Sequence, residues 1–447
     1  MFKQIYILAI STFAFLFGAV NLVSATNNDV PAQPVGLLLT WQQDPTTTMT
    51  IDWHTGADGE PSALEYRLHG SDEEWQKLTG ETIPFPFSNR LIHRVELVDL
   101  EPDTEYSFRF SRFSPPRKFR TMPETADRPV RFVTGGDVRH RVSWMDQTNR
   151  RAAAYEPDFI VWGGDLAYAD GREDRVYRWY EFMESMVNSL VTPDGRVIPI
   201  LAGIGNHEVL GGYYWRDERR PDSMPNYQQN DEMRELIAPY YYNLFAFPGQ
   251  PGYGVMDFGN YMSIILLDSE HSNPIDGEQT DWLKSILEER QDRPHIIPVY
   301  HIPAYPSVRN PTGRVHRYIR ENWVPLFEEY GVKVSFENHD HAYKRTYPLR
   351  NNQIDPNGVV YIGDGAWGVS TREIRRSHDE DAWYLSKLLK QATSERHFIV
   401  GTIHGSAFHY LMVNEDGKVI DEYPQTPLLR IDRSHFLQPP SHDEESE

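Results

Sequence analysis

The sequence predicts an α/β domain preceded by an all-β sandwich, and three observations support this fold class. Short β-type runs separated by turn residues fill residues 34–121, where no long helical period occurs. From residue 129 onward, apolar strand candidates alternate with segments of helical periodicity. The chain has 447 residues, which is enough for two or three domains, because single cores stop growing at roughly 250–300 residues.

The first domain is predicted from strand candidates rich in β-branched and aromatic residues: 48–53, 63–68, 91–98 and 104–113. A turn rich in aspartate and proline separates the last two candidates. This spacing is typical of a β-sandwich of roughly 90–100 residues. Residues 100–106 also resemble the corner of a fibronectin type III-like domain.

The second domain is predicted from seven apolar runs: 130–134, 159–162, 197–202, 262–267, 295–299, 332–336 and 359–362. Apolar residues recur at spacings of three and four in 176–190 and in 282–287, which predicts helices. A third helix is predicted around 323–330 and ends at Gly331, a residue suited to the position after a helix.

The N-terminal segment has the pattern of an export signal. Lys3 supplies the positive charge, residues 5–20 are almost continuously apolar, and small residues at 23–25 suit cleavage. The alternative is an uncleaved membrane anchor, because the apolar stretch approaches spanning length. The predicted division is a signal peptide at 1–25, the fibronectin type III-like sandwich at 26–125, the α/β domain at 126–429 and an acidic tail at 430–447.

Composition limits the partners and the location. A formal net charge of −21 argues against a nucleic-acid-binding surface and against an anionic membrane as partner. The chain has no cysteine, so a disulfide-linked dimer is impossible, while the oligomeric state is otherwise open. We expect a secreted or periplasmic protein with no stable membrane insertion after the signal is cleaved.

Polar clusters follow five of the predicted strands of the second domain. They are Gly136-Asp137, Gly164-Asp165-Leu166-Ala167-Tyr168, Gly205-Asn206-His207-Glu208, His301 and Asn338-His339-Asp340-His341. Ligands of open α/β sheets bind at the carboxyl ends of strands, so these clusters are expected to converge on one site.

Seven side chains in these clusters are candidate metal ligands: Asp137, Asp165, Tyr168, Asn206, His301, His339 and His341. Carboxylate, phenolate, amide oxygen and imidazole suit iron, manganese or zinc. Seven ligands exceed the needs of one tetrahedral ion, and a carboxylate such as Asp165 can bridge two ions, which predicts a dinuclear site. Each motif alone is more often structural, but their order, strand context and chemistry agree.

Together the clusters resemble the five ordered blocks of the purple acid phosphatase family, GDxG, GDxxY, GNH(D/E), VxxH and GHxH. The resemblance extends over residues 34–424, because larger members also have an N-terminal fibronectin-like domain. Arg139, Pro298 and Asn338 depart from these blocks, and none of them is a predicted ligand. The resemblance implies a metallophosphoesterase of α/β/β/α architecture, a β-sandwich flanked by helices, as the catalytic domain at 126–429.

The resemblance also implies an assignment of the ligands. The Fe(III) site would be formed by Asp137, Asp165, Tyr168 and His341. Asp165 would bridge to a Zn(II), Mn(II) or Fe(II) ion that is also bound by Asn206, His301 and His339. The implied activity is hydrolysis of phosphate esters, of the acid phosphatase type, by a metal-bridging hydroxide, with phosphorylated small molecules as substrates.

The residues that would handle the substrate are less defined. His207 is the candidate catalytic residue, as a donor to the phosphate or the leaving group. Arg309, Arg314 and His316 are either phosphate contacts or part of a solvated basic loop, in a region where plant members have a histidine pair. Two alternative functions are a divalent-metal phosphodiesterase or nucleotidase with a manganese or zinc pair, and a catalytically dead secreted binding protein. The complete ligand set favours an enzyme.

Overall fold

The computed structural model describes residues 34–57, 63–212, 227–363, 365–375 and 387–425. The predicted signal peptide at 1–25 and the predicted tail at 430–447 lie outside these residues. Within the described ranges, no helix combines the length and the apolar character needed to cross a membrane.

The N-terminal domain consists of two four-stranded antiparallel sheets. One sheet has the order β1-β2-β6-β5 and the other β4-β3-β7-β8. The strands are β1 Val35–Thr40, β2 Met49–Gly56, β3 Ala63–Leu68, β4 Gln76–Thr79, β5 Glu81–Pro84, β6 Arg90–Leu97, β7 Glu105–Arg109 and β8 Arg117–Arg120. The strand expected at 104–113 ends early, because a turn closed by the Ser114 N–H and the Ser111 carbonyl follows it. At the preceding corner, the Glu101 N–H donates to the Tyr106 hydroxyl at 2.9 Å.

The second domain contains a six-stranded and a seven-stranded mixed sheet, with the orders β11-β10-β9-β21-β22-β23 and β12-β13-β14-β15-β19-β16-β20. Strands β9 to β11 are mutually parallel, as are β13, β14, β15 and β19. The strands are β9 Val130–Gly135, β10 Phe159–Trp162, β11 Ile200–Ala202, β12 Gly254–Phe258, β13 Met262–Leu267, β14 His295–Tyr300, β15 Val334–Phe336, β16 Tyr343–Thr346, β17 Leu349–Arg350, β18 Gln353–Ile354, β19 Val360–Gly363, β20 Leu389–Thr393, β21 His397–His404, β22 Ala407–Asn414 and β23 Val419–Tyr423. The short strands β17 and β18 form a separate hairpin.

Helices cover the outer faces of both large sheets. They are α1 Val142–Ala153, α2 Tyr177–Ser189, α3 Asp231–Ile237, α4 Pro239–Leu244, α5 Glu278–Glu289, α6 Arg314–Asn322 and α7 Val324–Glu329, with single 3₁₀ turns at Glu173–Arg175 and Leu210–Gly212. Helices α1 to α4 share a core with the six-stranded sheet, and α5 to α7 share one with the seven-stranded sheet. A third core, which includes Phe132, Leu266 and Phe336, fills the space between the sheets and continues into the N-terminal sandwich. The α/β/β/α layering expected from the family resemblance is thereby confirmed.

The N-terminal sandwich packs against the catalytic domain through the connection between β5 and β6 and the first residue of β6. The Arg90 guanidinium lies 3.5 Å from the centre of the Tyr180 ring on helix α2. The Tyr180 hydroxyl also makes a 2.5 Å hydrogen bond with Ser88 Oγ. Strand β1 contributes Leu38 to the core that contains α2. The sandwich therefore packs against the back of a helix that covers the six-stranded sheet.

Candidate metal centre

The five clusters predicted from the sequence converge where the two large sheets meet. Three of them follow the parallel strands β9, β10 and β11, and two follow β14 and β15 of the other sheet. The His339 N–H donates to Asp137 Oδ2 at 2.8 Å, which joins the two sheets directly. The His207 N–H donates to Asp165 Oδ1 at 2.8 Å, which joins the second and third clusters.

Most of the predicted ligands have the same strained backbone conformation, the left-handed one. Five of the predicted ligands have a positive φ: Asp137 (56°), Asp165 (55°), Tyr168 (57°), His339 (79°) and His341 (57°). A left-handed conformation costs a residue with a side chain on the order of 1–3 kcal/mol, and such residues cluster at functional sites. The sharp turns point these side chains away from the sheet edge into a common space.

One half of the site contains Asp137, Tyr168 and His341. The Tyr168 hydroxyl lies 3.0 Å from Asp137 Oδ1 and 3.2 Å from His341 Nε2. His341 Nδ1 lies 3.1 Å from the Ser370 carbonyl oxygen, so Nδ1 bears the proton and the Nε2 lone pair faces the site. Burial, followed by the charge of Asp137, raises the pKa of the Tyr168 hydroxyl well above its usual value.

The other half contains Asp165, His301 and His339, whose potential ligand atoms all lie within 4.8 Å of one another. His301 Nε2 is 3.1 Å from Asp165 Oδ2 and 3.0 Å from His339 Nδ1. The His301 Nδ1–H donates to the Gly163 carbonyl at 2.9 Å, which directs Nε2 into the site. Burial lowers the pKa of His301, but the charge of Asp165 outweighs it and raises this pKa to about 9.

Asp165 lies between the two halves. Its charge raises the pKa of Tyr168 in one half and that of His301 in the other. Burial raises the pKa of Asp165 itself, but the charges of His301 and His207 hold it well below its usual value. Only glycine fits at position 205, because a Cβ atom there would lie 2.3 Å from Asp165 Oδ1.

Asn206 provides the test of whether the site fits metal ions. Its Nδ2 donates to the Gly212 carbonyl at 3.1 Å, which fixes the amide plane. Its Oδ1 is buried and has no hydrogen-bond partner in the described part of the chain. An orphaned buried acceptor costs about 1–3 kcal/mol unless a ligand satisfies it. This unsatisfied oxygen, beside carboxylates, a phenol and imidazoles, suits metal ions that prefer oxygen and nitrogen ligands.

His207 lies at the edge of this centre. Its ring centre is 4.2 Å from that of Tyr168, and about a third of its side chain (31%) is exposed. Its Nδ1 pairs with Asp170, a residue that the sequence analysis missed although it lies two positions after Tyr168. Burial lowers the pKa of His207, while Asp165 and Asp170 raise it more, so the net pKa is raised.

Glu208 is a second missed residue, present in the third cluster but without an assigned role. Its buried carboxylate accepts the N–H groups of Asp165 (2.7 Å), Leu166 (2.8 Å) and Gly205 (2.8 Å). Burial and the charge of Asp165 raise the pKa of Glu208 to about 7. The carboxylate fixes the loops after β10 and β11 to each other.

Replacing Glu208 with glutamine is expected to weaken metal binding by roughly 10–100-fold, the usual cost of losing a group that orients a ligand. The side-chain NH₂ group of glutamine is a donor. It would face backbone N–H groups whose hydrogen bonds the carboxylate now accepts. Metal dissociation constants can be measured by competition with a chelator. Glu181→Gln, which changes a partly exposed carboxylate on α2, is the matched control. Unchanged affinity in Glu208→Gln would contradict the positioning role.

Two of the departures from the family blocks have structural roles. Asn338 lies against two glycines, where Cβ atoms at Gly136 and Gly163 would come within 2.5 and 1.8 Å of its amide. Its Nδ2 donates to the Tyr300 carbonyl at 3.0 Å. Arg139 pairs with Glu181 of α2.

The three residues of the basic loop are engaged in internal contacts. Arg309 Nη1 donates to Asp340 Oδ1 at 2.7 Å, and Arg314 pairs with the buried Glu270 at 2.6 Å. His316 is buried, and its Nδ1 lies 2.6 Å from the Pro303 carbonyl oxygen. The solvated alternative does not apply to His316, which is buried, and the two arginines already have carboxylate partners.

Comparison with known proteins agrees with this architecture. The family model "Purple acid Phosphatase, N-terminal domain" matches residues 34–121, and "Calcineurin-like phosphoesterase" matches residues 134–343. Purple acid phosphatase 18 of Arabidopsis thaliana is 28% identical over 329 residues, which cover 71% of this chain and 68% of that protein. Human acid phosphatase type 7 is 24% identical over 424 residues, which cover 88% and 90%.

Solved structures show the same fold. Purple acid phosphatase PPD1 from yellow lupin (Lupinus luteus) superposes with a TM-score of 0.68 at 19% identity, covering 88% of this chain and 74% of the lupin chain. PhoD superposes with a TM-score of 0.60 at 12% identity, covering 88% and 92%. The two matched family segments together span more than half of the chain. The chain therefore belongs to the purple acid phosphatase family of metallophosphoesterases, enzymes that hydrolyse phosphate esters at a dinuclear metal centre.

Proposed function

We propose that this protein is an exported acid phosphatase that acts on phosphorylated small molecules with one Fe(III) and one divalent ion, Zn(II), Mn(II) or Fe(II). The observation that supports the choice of iron is the Tyr168 hydroxyl, which lies 3.0 Å from Asp137 Oδ1 and 3.2 Å from His341 Nε2. The ligand atoms grouped in the other half come from one carboxylate and two imidazoles, those of Asp165, His301 and His339. The two halves thus differ in chemistry, which supports the binding of two different ions.

The residues that would hold the ions belong to the same two halves of the site. Fe(III) would be bound by Asp137, Asp165, Tyr168 and His341, and the divalent ion by Asp165, Asn206, His301 and His339. When bound, the two ions supply an activated water molecule as nucleophile and neutralise charge on the phosphate.

The protein side chains orient the substrate and move a proton. His207 Nδ1 pairs with Asp170, so Nε2 is the nitrogen free to donate, and it lies 4.0 Å from Asp165 Oδ2. His207 is partly exposed and is therefore accessible to substrate from outside. We propose that His207 Nε2 donates a hydrogen bond to the phosphate or a proton to the leaving-group oxygen.

The test combines metal analysis with the variant Tyr168→Phe. The wild-type protein is expected to contain about two metals per chain, one of them iron, and to show a visible absorption band from the phenolate–iron bond. Tyr168→Phe should lose this band and keep part of its metal, because the other ligands remain. Tyr66→Phe, which removes a hydroxyl in the N-terminal domain 3.0 Å from Gln76, should leave the spectrum unchanged.

Other outcomes would favour other functions. Two metals without iron would favour a divalent-metal phosphodiesterase or nucleotidase. A protein without metal, in which iron, manganese and zinc all fail to restore phosphatase activity, would favour a binding protein.

A further inference from the structure

The loop between β19 and β20 holds an arginine beside the metal centre. The Arg372 N–H donates to the His341 carbonyl at 3.0 Å, and the Arg372 carbonyl accepts from Ser394 Oγ at 2.7 Å. Two positions earlier, the Ser370 carbonyl accepts from His341 Nδ1 at 3.1 Å. The loop that orients His341 through the Ser370 carbonyl therefore also contains Arg372, and hydrogen bonds on both sides hold the Arg372 backbone in place.

The Arg372 side chain contacts the segment that carries two of the predicted ligands, His339 and His341. Its Nη1 donates to the His339 carbonyl at 3.1 Å, and the side chain is only partly exposed. The Arg372 backbone N–H contacts His341 and its guanidinium contacts His339, so the residue lies against the segment that carries these two predicted ligands.

Within the described part of the chain, Arg372 has no carboxylate partner, unlike Arg139, Arg309 and Arg314. Arg139 pairs with Glu181, Arg309 with Asp340 and Arg314 with Glu270. Among the described residues, no carboxylate lies within 4.0 Å of the Arg372 guanidinium, and its one side-chain hydrogen bond uses only Nη1. Burial and the like charge of Arg309 both lower the pKa of Arg372. A partly buried cation that has no carboxylate partner is stabilised when an anion binds to it.

We propose that Arg372 binds the non-bridging oxygens of the phosphoryl group of the substrate. This inference rests on the proposed function, since it assumes a phosphate ester at the centre. A guanidinium presents a planar fork of N–H donors that matches two phosphate oxygens. Arg372 would bind the product, orthophosphate, in the same way, and Arg309, which already pairs with Asp340, would hold the His339 loop instead.

The test uses the metal-loaded full chain and the variants Arg372→Gln and Arg372→Lys. In Arg372→Gln, the KM for p-nitrophenyl phosphate and the inhibition constant of orthophosphate should both rise by roughly 10–100-fold, the range for one charged hydrogen-bonding group. The kcat should change less than KM, because the contact exists in both the ground state and the transition state. Arg372→Lys should recover part of the loss. Arg375→Gln, at an exposed position of the same loop, should match the wild type.

The measurements that decide the question include metal content and thermal unfolding of every variant. KM and inhibition constants within twofold of the wild type in Arg372→Gln would overturn the proposal. Loss of metal in that variant, or an equal effect in Arg375→Gln, would overturn it as well. A metal-loaded wild type without phosphatase activity would contradict the proposed function instead, and calorimetric titration of wild type and Arg372→Gln with orthophosphate would then decide the role of Arg372 separately.

Discussion

Asp165→Ala is expected to release both metal ions and to lower turnover by more than about 10³-fold. Loss of a single transition-state donor already costs about 10²–10³-fold, and Asp165 lies between the two halves of the site. Its Oδ2 is 3.1 Å from His301 Nε2, and its Oδ1 accepts the His207 N–H at 2.8 Å. Elemental analysis and steady-state turnover on the same preparation measure the two effects together.

A second variant at Asp165 separates the role of the charge from that of the shape, and a variant outside the metal centre serves as the control. Asp165→Asn keeps an oxygen acceptor for the His207 N–H but removes the negative charge, so we expect it to lose most of the metal as well. Asp257→Ala removes a carboxylate that pairs with Arg290 at 3.0 Å, outside the metal centre, and should retain metal and activity. An Asp165→Ala protein with two metals and a wild-type kcat would disprove the bridging assignment.

Lys344→Met is expected to lower the free energy of unfolding by about 3–5 kcal/mol, the usual cost of removing one partner of a buried ion pair. The side chains of Lys344 and Glu337 pair with each other, and both are fully buried. Lys344 Nζ also donates to the Tyr305 carbonyl at 2.7 Å. Urea unfolding in the presence of a chelator measures the loss without the contribution of the metals.

The ion pair of Lys344 and Glu337 also supports the predicted ligand His301. Glu337 Oε1 accepts from the Tyr300 hydroxyl at 2.7 Å and from the Ala304 N–H at 2.6 Å, so it contacts the chain on both sides of His301. Lys344→Met should therefore also weaken metal binding.

A double variant and a surface control complete this experiment. Adding Glu337→Gln to Lys344→Met removes the unpaired charge and should recover part of the stability. Arg317→Met breaks an exposed pair with Glu321 at 3.5 Å and should change the stability by less than about 1 kcal/mol. A loss below about 1 kcal/mol in Lys344→Met would show that the buried pair does not stabilise the fold.

The convergence of the metal centre could be predicted because each candidate ligand directly follows an apolar strand. The contacts that hold these ligands could not, because they join residues far apart in the chain, such as Glu208 with Asp165 and Arg372 with His339. The third motif includes Glu208 but does not show which groups it contacts, and no short-range pattern distinguishes Arg372 from a surface charge.

Strand boundaries were predicted well for most of the apolar runs. The strand expected at 197–202 begins only at Ile200, because the Val197 N–H donates to the Lys118 carbonyl of the N-terminal domain. No strand was predicted after residue 362, although β21 and β22 complete the six-stranded sheet. The high content of β-branched and aromatic residues in both strands was an available signal for this hairpin.

The position of β21 in that sheet has a consequence for the order of folding. Strand β9, which leads to Asp137, pairs on one side with β10 and on the other with β21, where Thr134 lies opposite Ile399. These two partners come from nearly opposite ends of the catalytic domain, and long-range pairing of this kind slows folding. A growing chain that has already produced all five ligand clusters still has an unpaired edge beside the first of them. We therefore expect this edge of β9 to be closed late, after synthesis of the C-terminal hairpin.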